Sequence, residues 1–164
     1  MGECLIRLEF LAEKAPDRRL TLENGSRVAV IGGGPAGSLF ATFLLDFAER
    51  DSKDVSVEIY DAKDFKVQGP KGCNHCGGII SESLVQHLAS EGIVLPANVV
   101  QRGLDAYVLH TDDGSVDIAT PLQEKRIAAT YRGGGPRGAG PDYWASFDGF
   151  LLDLAAKRGA VVRH

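Results

Sequence analysis

Three glycines at fixed spacing, Gly32-x-Gly34-x-x-Gly37, and one later aspartate, Asp61, are the first residues here whose types and spacing bear on chemistry. The first glycine of such a set permits a tight turn, and the second lets the backbone approach a pyrophosphate closer than any side chain would allow. The third lets the following helix pack tightly on the preceding strand. Pro35 suits the first helical position, because its missing N–H would have no partner there. The amides of that first turn, Ala36 among them, then face an anion under a partial positive charge. Asp61 lies 24 positions after Gly37, about the separation at which a carboxylate takes the ribose hydroxyls of a dinucleotide; a solvated strand end is the plainer account of it.

The second stretch is KGCNHCGGII, Lys71 to Ile80, in which Cys73-x-x-Cys76 runs directly into Gly77 and Gly78. A zinc site would need further ligands, and only Cys4, His75 and scattered histidines remain, so no metal is expected. A redox dithiol is chemically open, although the flanking residues lack a thioredoxin-like setting. A structural loop is open as well. His75 is expected to face solvent, and Lys71 either neutralises a phosphate or is a surface lysine.

These residues need elements to hold them. RVAVI, residues 27–31, reads as a buried strand. From Pro35 to about Arg50 the apolar residues recur at helical spacing over most of the surface, which predicts a helix covered on both sides. VSVEIYD is a second strand ending at Asp61, and residues 62–78 read as loop. Ser81 is expected to cap a helix through SESLVQHLASEG, with Gly92 just past its end. LDAYVLHTDDGSVDIATP alternates on both sides of Asp113-Gly114, which predicts a hairpin. YRGGGPRGAGPDYW is irregular, and FDGFLLDLAAKRGAVVRH reads as a helix, a terminating glycine and a strand.

The order β-α-β-loop-α-hairpin-α-β predicts an α/β fold, a Rossmann-like βαβ unit with an inserted antiparallel β-hairpin. The sheet is expected to be incomplete, because the last strand has no successor to pair with. Residues 1–26 form an N-terminal extension, in which LIRLEFL fits an edge strand or a short helix. Residues 27–164 form the nucleotide-binding part.

A chain of 164 residues predicts one domain. Hydrophobic and charged fractions of 44% and 24% are those of an ordinary globular protein. A net charge of −4 argues against nucleic acid as the main partner. Three cysteines and an N-terminus without a basic, apolar signal predict a reducing, cytoplasmic setting. Met1-Gly2 invites myristoylation, but Ile6 stands where that motif wants Ser or Thr. No apolar run approaches the roughly 20 residues of a spanning helix, while peripheral membrane contact stays open.

VAVIGGGPAG resembles the opening of FAD-dependent oxidoreductases. SFDGFLLDLAAKRGAVV is similar to the Phe-Asp-x-x-Leu helix and Gly-Ala of the para-hydroxybenzoate hydroxylase-like superfamily. GPKGCNHCGGIISESLVQHL is similar to the Lys-x-Cys-Gly-Gly segment of the geranylgeranyl reductase family within it. Together they cover most of residues 27–162, and the Cys-Gly-Gly piece narrows the choice. The resemblance implies the N-terminal part of an FAD-binding domain, with residues 100–130 as the first strands of a substrate-side sheet. It implies reduction of carbon–carbon double bonds in an isoprenoid chain, with NAD(P)H or ferredoxin as electron donor; an FAD-dependent monooxygenase and a non-catalytic nucleotide-binding module are the alternatives.

For the site, the resemblance implies that Cys76, Gly77 and Gly78 cross the reactive face of the flavin, with the Cys76 thiol toward substrate. Lys71 would then neutralise a phosphate or the reduced flavin. An arginine ahead of the Phe-Asp helix would reach FAD; Arg132 is favoured over Arg137 because it directly follows the strand-like IAATY. Cys73 is an addition to the simpler family pattern. Tyr107 and Leu109 would line a pocket or belong to the core.

Overall fold

The computed structural model describes residues 21–67, 69, 71–72, 76–133 and 145–164. Strand β1 (Ser26–Ile31) is joined by helix α1 (Pro35–Arg50) to strand β2 (Val55–Tyr60). The strands pair in parallel, with Val28 opposite Val57 and Val30 opposite Ile59. Strand β8 (Val161–Arg163) adds in parallel to the other side of β2, giving the order β1-β2-β8. Helix α3 (Phe147–Lys157) leads into β8. Both crossovers step the same way across the sheet, so a constant handedness sets both helices on one face.

That face is the first core. Val30, Val55, Val57 and Ile59 are buried against Ala41 and Ala48 of α1 and Leu152 and Ala155 of α3. Small residues let α1 lie close: Ser38, Ala41 and Thr42 are at most 1% exposed, and Thr42 Oγ1 donates back to the Ser38 carbonyl. The other face of the sheet is bare, which corrects two expectations. In RVAVI only Val30 is buried, and Ile31 is 83% exposed. Helix α1 is not covered on both sides, because Phe40 and Phe47 are exposed. Two helices on one face leave nothing to cover the second. Polar groups occupy part of it instead. Tyr60 donates to Glu58 Oε2 at 2.6 Å, and Arg27 and Arg163 approach the same carboxylate. The Tyr60 hydrogen bond, ahead of both arginines, holds the Glu58 carboxyl below its usual range and pushes the phenol up.

The second layer is antiparallel. Strands β3 (Ile79–Ile80), β4 (Val100–Leu104) and β7 (Ile127–Thr130) form a sheet in the order β3-β7-β4. Helix α2 (Glu82–Ser90) starts at Ser81, whose hydroxyl accepts from the Leu84 amide as expected of a cap, and Gly92 follows its end with φ +74°. Ile80, Leu88, Ile93, Val99, Phe147 and Leu151 make the second core. Strands β3 and β4 were not legible: one has two residues, and the other carries Arg102 and Gly103 and shifts register between Val100 and Arg102.

Strands β5 (Ala106–Thr111) and β6 (Gly114–Ala119) form the expected hairpin, closed by Asp112 and Asp113, with Gly114 at φ +137° opening β6. Tyr107 and Leu109 are not core residues. They pair with Ile118 and Val116 across the hairpin, and all four are exposed. Among the described residues, no helix is long and apolar enough to cross a membrane.

Helix α3 belongs to both cores. Phe147 and Leu151 are buried in the second, and Leu152 and Ala155 in the first. Ser146 caps it by accepting from the Gly149 amide, and Gly159 follows its last turn at φ +110°.

Candidate functional site

The glycine loop joins the end of β1 to the start of α1 in three residues. Gly32 sits at φ +101°, where a side chain is strained, and its amide extends the ladder by donating to the Tyr60 carbonyl at 2.8 Å. A Cβ on Gly37 would lie 1.8 Å from the Gly32 carbonyl oxygen and 3.1 Å from Val30 Cγ1. The turn and the helix–strand approach therefore explain the first and third glycines. Gly34 differs. It is the N-cap of α1 at φ −68° and ψ −174°, a conformation open to any residue. Pro35 begins the helix, no acidic residue occupies the first turn, and Gly34 has no side chain to cap it. The amides of Ala36 and Gly37 thus open the helix with no carbonyl behind them in its ladder.

Asp61 directly follows β2 and reaches this loop. Its Oδ2 accepts from the Gly33 amide at 2.6 Å and its Oδ1 from the Lys63 amide at 2.7 Å. Its own amide donates to the Arg163 carbonyl at 3.0 Å, so both neighbours of β2 fix its place. A carboxylate accepts about four hydrogen bonds, which leaves capacity for a hydroxyl pair.

Cys76 is an exposed free thiol. Its Sγ accepts from the Gly78 amide at 3.3 Å and from Arg132 Nη1 at 2.9 Å. The guanidinium is held from behind by Asp148, with Nε and Nη2 each donating to a carboxylate oxygen at 2.6 Å. Asp148 is fully buried in the first turn of α3, where the helix dipole favours an acid. This hydrogen bonding raises the Arg132 pKa against the opposing effect of partial burial.

The two glycines after Cys76 have different reasons to be there. Gly78 lies at φ +68°, and a Cβ on it would come 2.3 Å from the Thr130 carbonyl oxygen. Thr130, buried, donates both its amide and its hydroxyl to the Gly78 carbonyl, at 2.7 and 2.8 Å. The fold itself requires glycine there. Gly77 has open space, with Ile79 Cγ1 at 3.8 Å the nearest neighbour of its would-be Cβ. Lys71 is exposed on the turn before, its carbonyl accepting from the Asp64 amide. Cys4, Cys73, His75 and Arg137 lie outside the described residues. Among the described residues, no group of His, Cys, Asp and Glu could hold a metal ion.

Helix α3 brings the two stretches near each other. Asp148 carries the Arg132–Cys76 cluster. Leu152, one turn on, meets the glycine loop: its Cδ1 is 3.1 Å from the position of a Gly33 Cβ. Residues four apart share a helix face and are about 6 Å apart along the axis. Asp148 and Thr130 were missed as site residues. An acid just after a capping serine reads as a dipole partner, and no spacing rule ties residue 148 to residue 132. The chain matches no family model and no curated protein.

Proposed function

We propose that this chain forms the dinucleotide-binding part of an FAD-dependent oxidoreductase of the geranylgeranyl reductase type, acting on carbon–carbon double bonds of an isoprenoid. The observation that carries the reading is Gly34: a glycine that neither its backbone angles nor a turn demands, set at an uncapped helix start whose amides face outward. A pyrophosphate needs that combination. Asp61, already bonded to the loop, would take the ribose hydroxyls, and Lys71 would offset phosphate or flavin charge. Bound FAD supplies the hydride, drawn from NAD(P)H or ferredoxin. Gly77 would leave room at the ring, Arg132 would present its remaining N–H donors beside it, and Cys76 would border the substrate.

Titrating the chain with FAD by fluorescence quenching tests the cofactor. Gly34→Ser is expected to weaken binding by about 100-fold, since a Cβ excludes the pyrophosphate from charge-assisted hydrogen bonds. Asp61→Ala is expected to weaken it by about 10- to 150-fold, the equivalent of roughly 1.5–3 kcal/mol. Wild-type affinity in Gly34→Ser, or no FAD binding by the wild-type chain, would sink the reading.

The reaction is tested separately, in anaerobic assays of isoprenoid reduction. Cys76→Ser is expected to keep FAD and to lose turnover, with NADPH-coupled oxygen consumption marking the hydroxylase alternative instead. Free thiols counted before and after flavin reduction report on the cysteine pair, and a gain of two would show a redox disulfide. Normal turnover in both Cys76→Ser and Cys73→Ser would reduce the stretch to a structural loop.

A further inference from the structure

We propose that the apolar segment at residues 4–11, CLIRLEFL, folds back into the groove beside the C-terminal half of α1. The groove measures about 430 Å³ and is lined chiefly by Leu22, Leu44, Phe47, Ala48 and Val55, with Lys53 at its edge. Phe47 stands 61% exposed in it. A lone exposed phenylalanine needs no explanation; the occupant is identified by where the chain enters the described structure. The turn at residues 23–26 is bound twice to the residue before β2. The Gly25 amide donates to the Asp54 carbonyl, and Asn24 Oδ1 accepts from the Asp54 amide, both at 2.8 Å. Within the turn, the Glu23 amide donates to Ser26 Oγ at 2.8 Å. These bonds fix Leu22 as part of the groove wall, so everything before it departs from the groove's own edge.

The segment has the matching chemistry. Leu5, Ile6, Leu8, Phe10 and Leu11 crowd into eight residues, and apolar side chains gain by leaving water. Eleven positions separate Leu11 from Leu22, a reach of up to about 36–40 Å when extended. The stretch of α1 from Leu44 to Arg50 rises only about 9 Å. A short tether also gives an effective concentration in the millimolar range, which favours the chain's own segment over a second copy at micromolar concentration. The inference stands on the groove and the tether, independent of the cofactor.

Cys4 lies in the segment, so one added thiol tests it. In a full chain carrying Cys73→Ser and Cys76→Ser, Lys53→Cys puts a thiol at the groove edge, and Asp117→Cys puts one on the exposed hairpin as a control. Under mild oxidation at micromolar protein, the Lys53→Cys chain is expected to form an intrachain disulfide with Cys4 at least about tenfold faster than the control. Mass spectrometry of linked peptides reads the product. Arg50→Cys, on the same rim, is expected to behave alike. Deleting residues 1–20 is expected to raise the fluorescence of an apolar dye and lower Tm by several degrees. Disulfides that form only between chains, and slow on dilution, would assign the groove to a second copy and overturn the proposal. Equal rates at positions 53 and 117, or unchanged melting and dye binding after the deletion, would leave it to a foreign partner and overturn it too.

Discussion

Gly37→Ala is expected to destabilise the chain by about 3 kcal/mol or more, at the upper end of what overpacking costs. The obstruction is a backbone carbonyl: the Gly32 oxygen would sit 1.8 Å from the new methyl group. A flexible side chain could swing away, but this oxygen belongs to the turn that closes the loop. Relief therefore requires α1 to lift from β1, which opens the packing of Ala41 and Val30 in the first core. At roughly 2–4 °C per kcal/mol for a chain of this size, thermal unfolding followed by circular dichroism should show Tm lower by about 6–12 °C. Gly34→Ser supplies the contrast. Its backbone angles accept any residue, and serine is a good N-cap, so its Tm should stay level or rise while FAD is lost. Equal Tm losses in the two variants would mean that both glycines serve the fold.

Asp148→Ala is expected to cost about 3–5 kcal/mol, the usual effect of removing one partner from a buried ion pair. The carboxylate is fully buried and the Arg132 side chain is 17% exposed, so little solvent is present to replace the lost partner. Arg132→Met should cost a similar amount by stranding the carboxylate. Replacing both, as Asp148→Leu with Arg132→Met, should recover most of the loss, because apolar pairs of similar volume often match buried ion pairs in stability. Urea unfolding of the four chains gives the coupling. Additive losses, with the double variant the least stable, would show that the two groups act apart and that the guanidinium is placed by something else.

What could be read in advance was local. Gly32, Pro35 and Gly37 announce a strand, a turn and a helix within ten residues, and α1 begins at Pro35 as expected. Ser81 and Gly92 bound α2 by cap chemistry, and Asp113-Gly114 marks a hairpin whose partners are adjacent in sequence. What was hidden depends on distant partners. Ile79 and Ile80 become a strand only because β7 lies beside them, and periodicity cannot register two residues. Gly78 looked like a glycine kept for a ligand, yet Thr130, 52 residues later, supplies its reason. Asp148 looked like a first-turn acid, and its guanidinium partner lies 16 residues back. The exposed faces of β1 and α1 were unreadable for a related reason: an apolar residue does not say whether anything lies against it.

The double membership of α3 bears on how the molecule comes apart. Leu151 and Leu152 are consecutive, yet each is buried in a different core. Melting the helix removes a wall from both sheets at once, and neither sheet keeps a complete core without it. Parts that share an indispensable element unfold as one cooperative unit rather than as separate ones. The parallel and antiparallel layers therefore do not fray in turn, and stabilising either one protects the other. Asp148 and Leu152 tie the thiol loop and the glycine loop to that same helix, so both remain ordered for as long as the whole chain does.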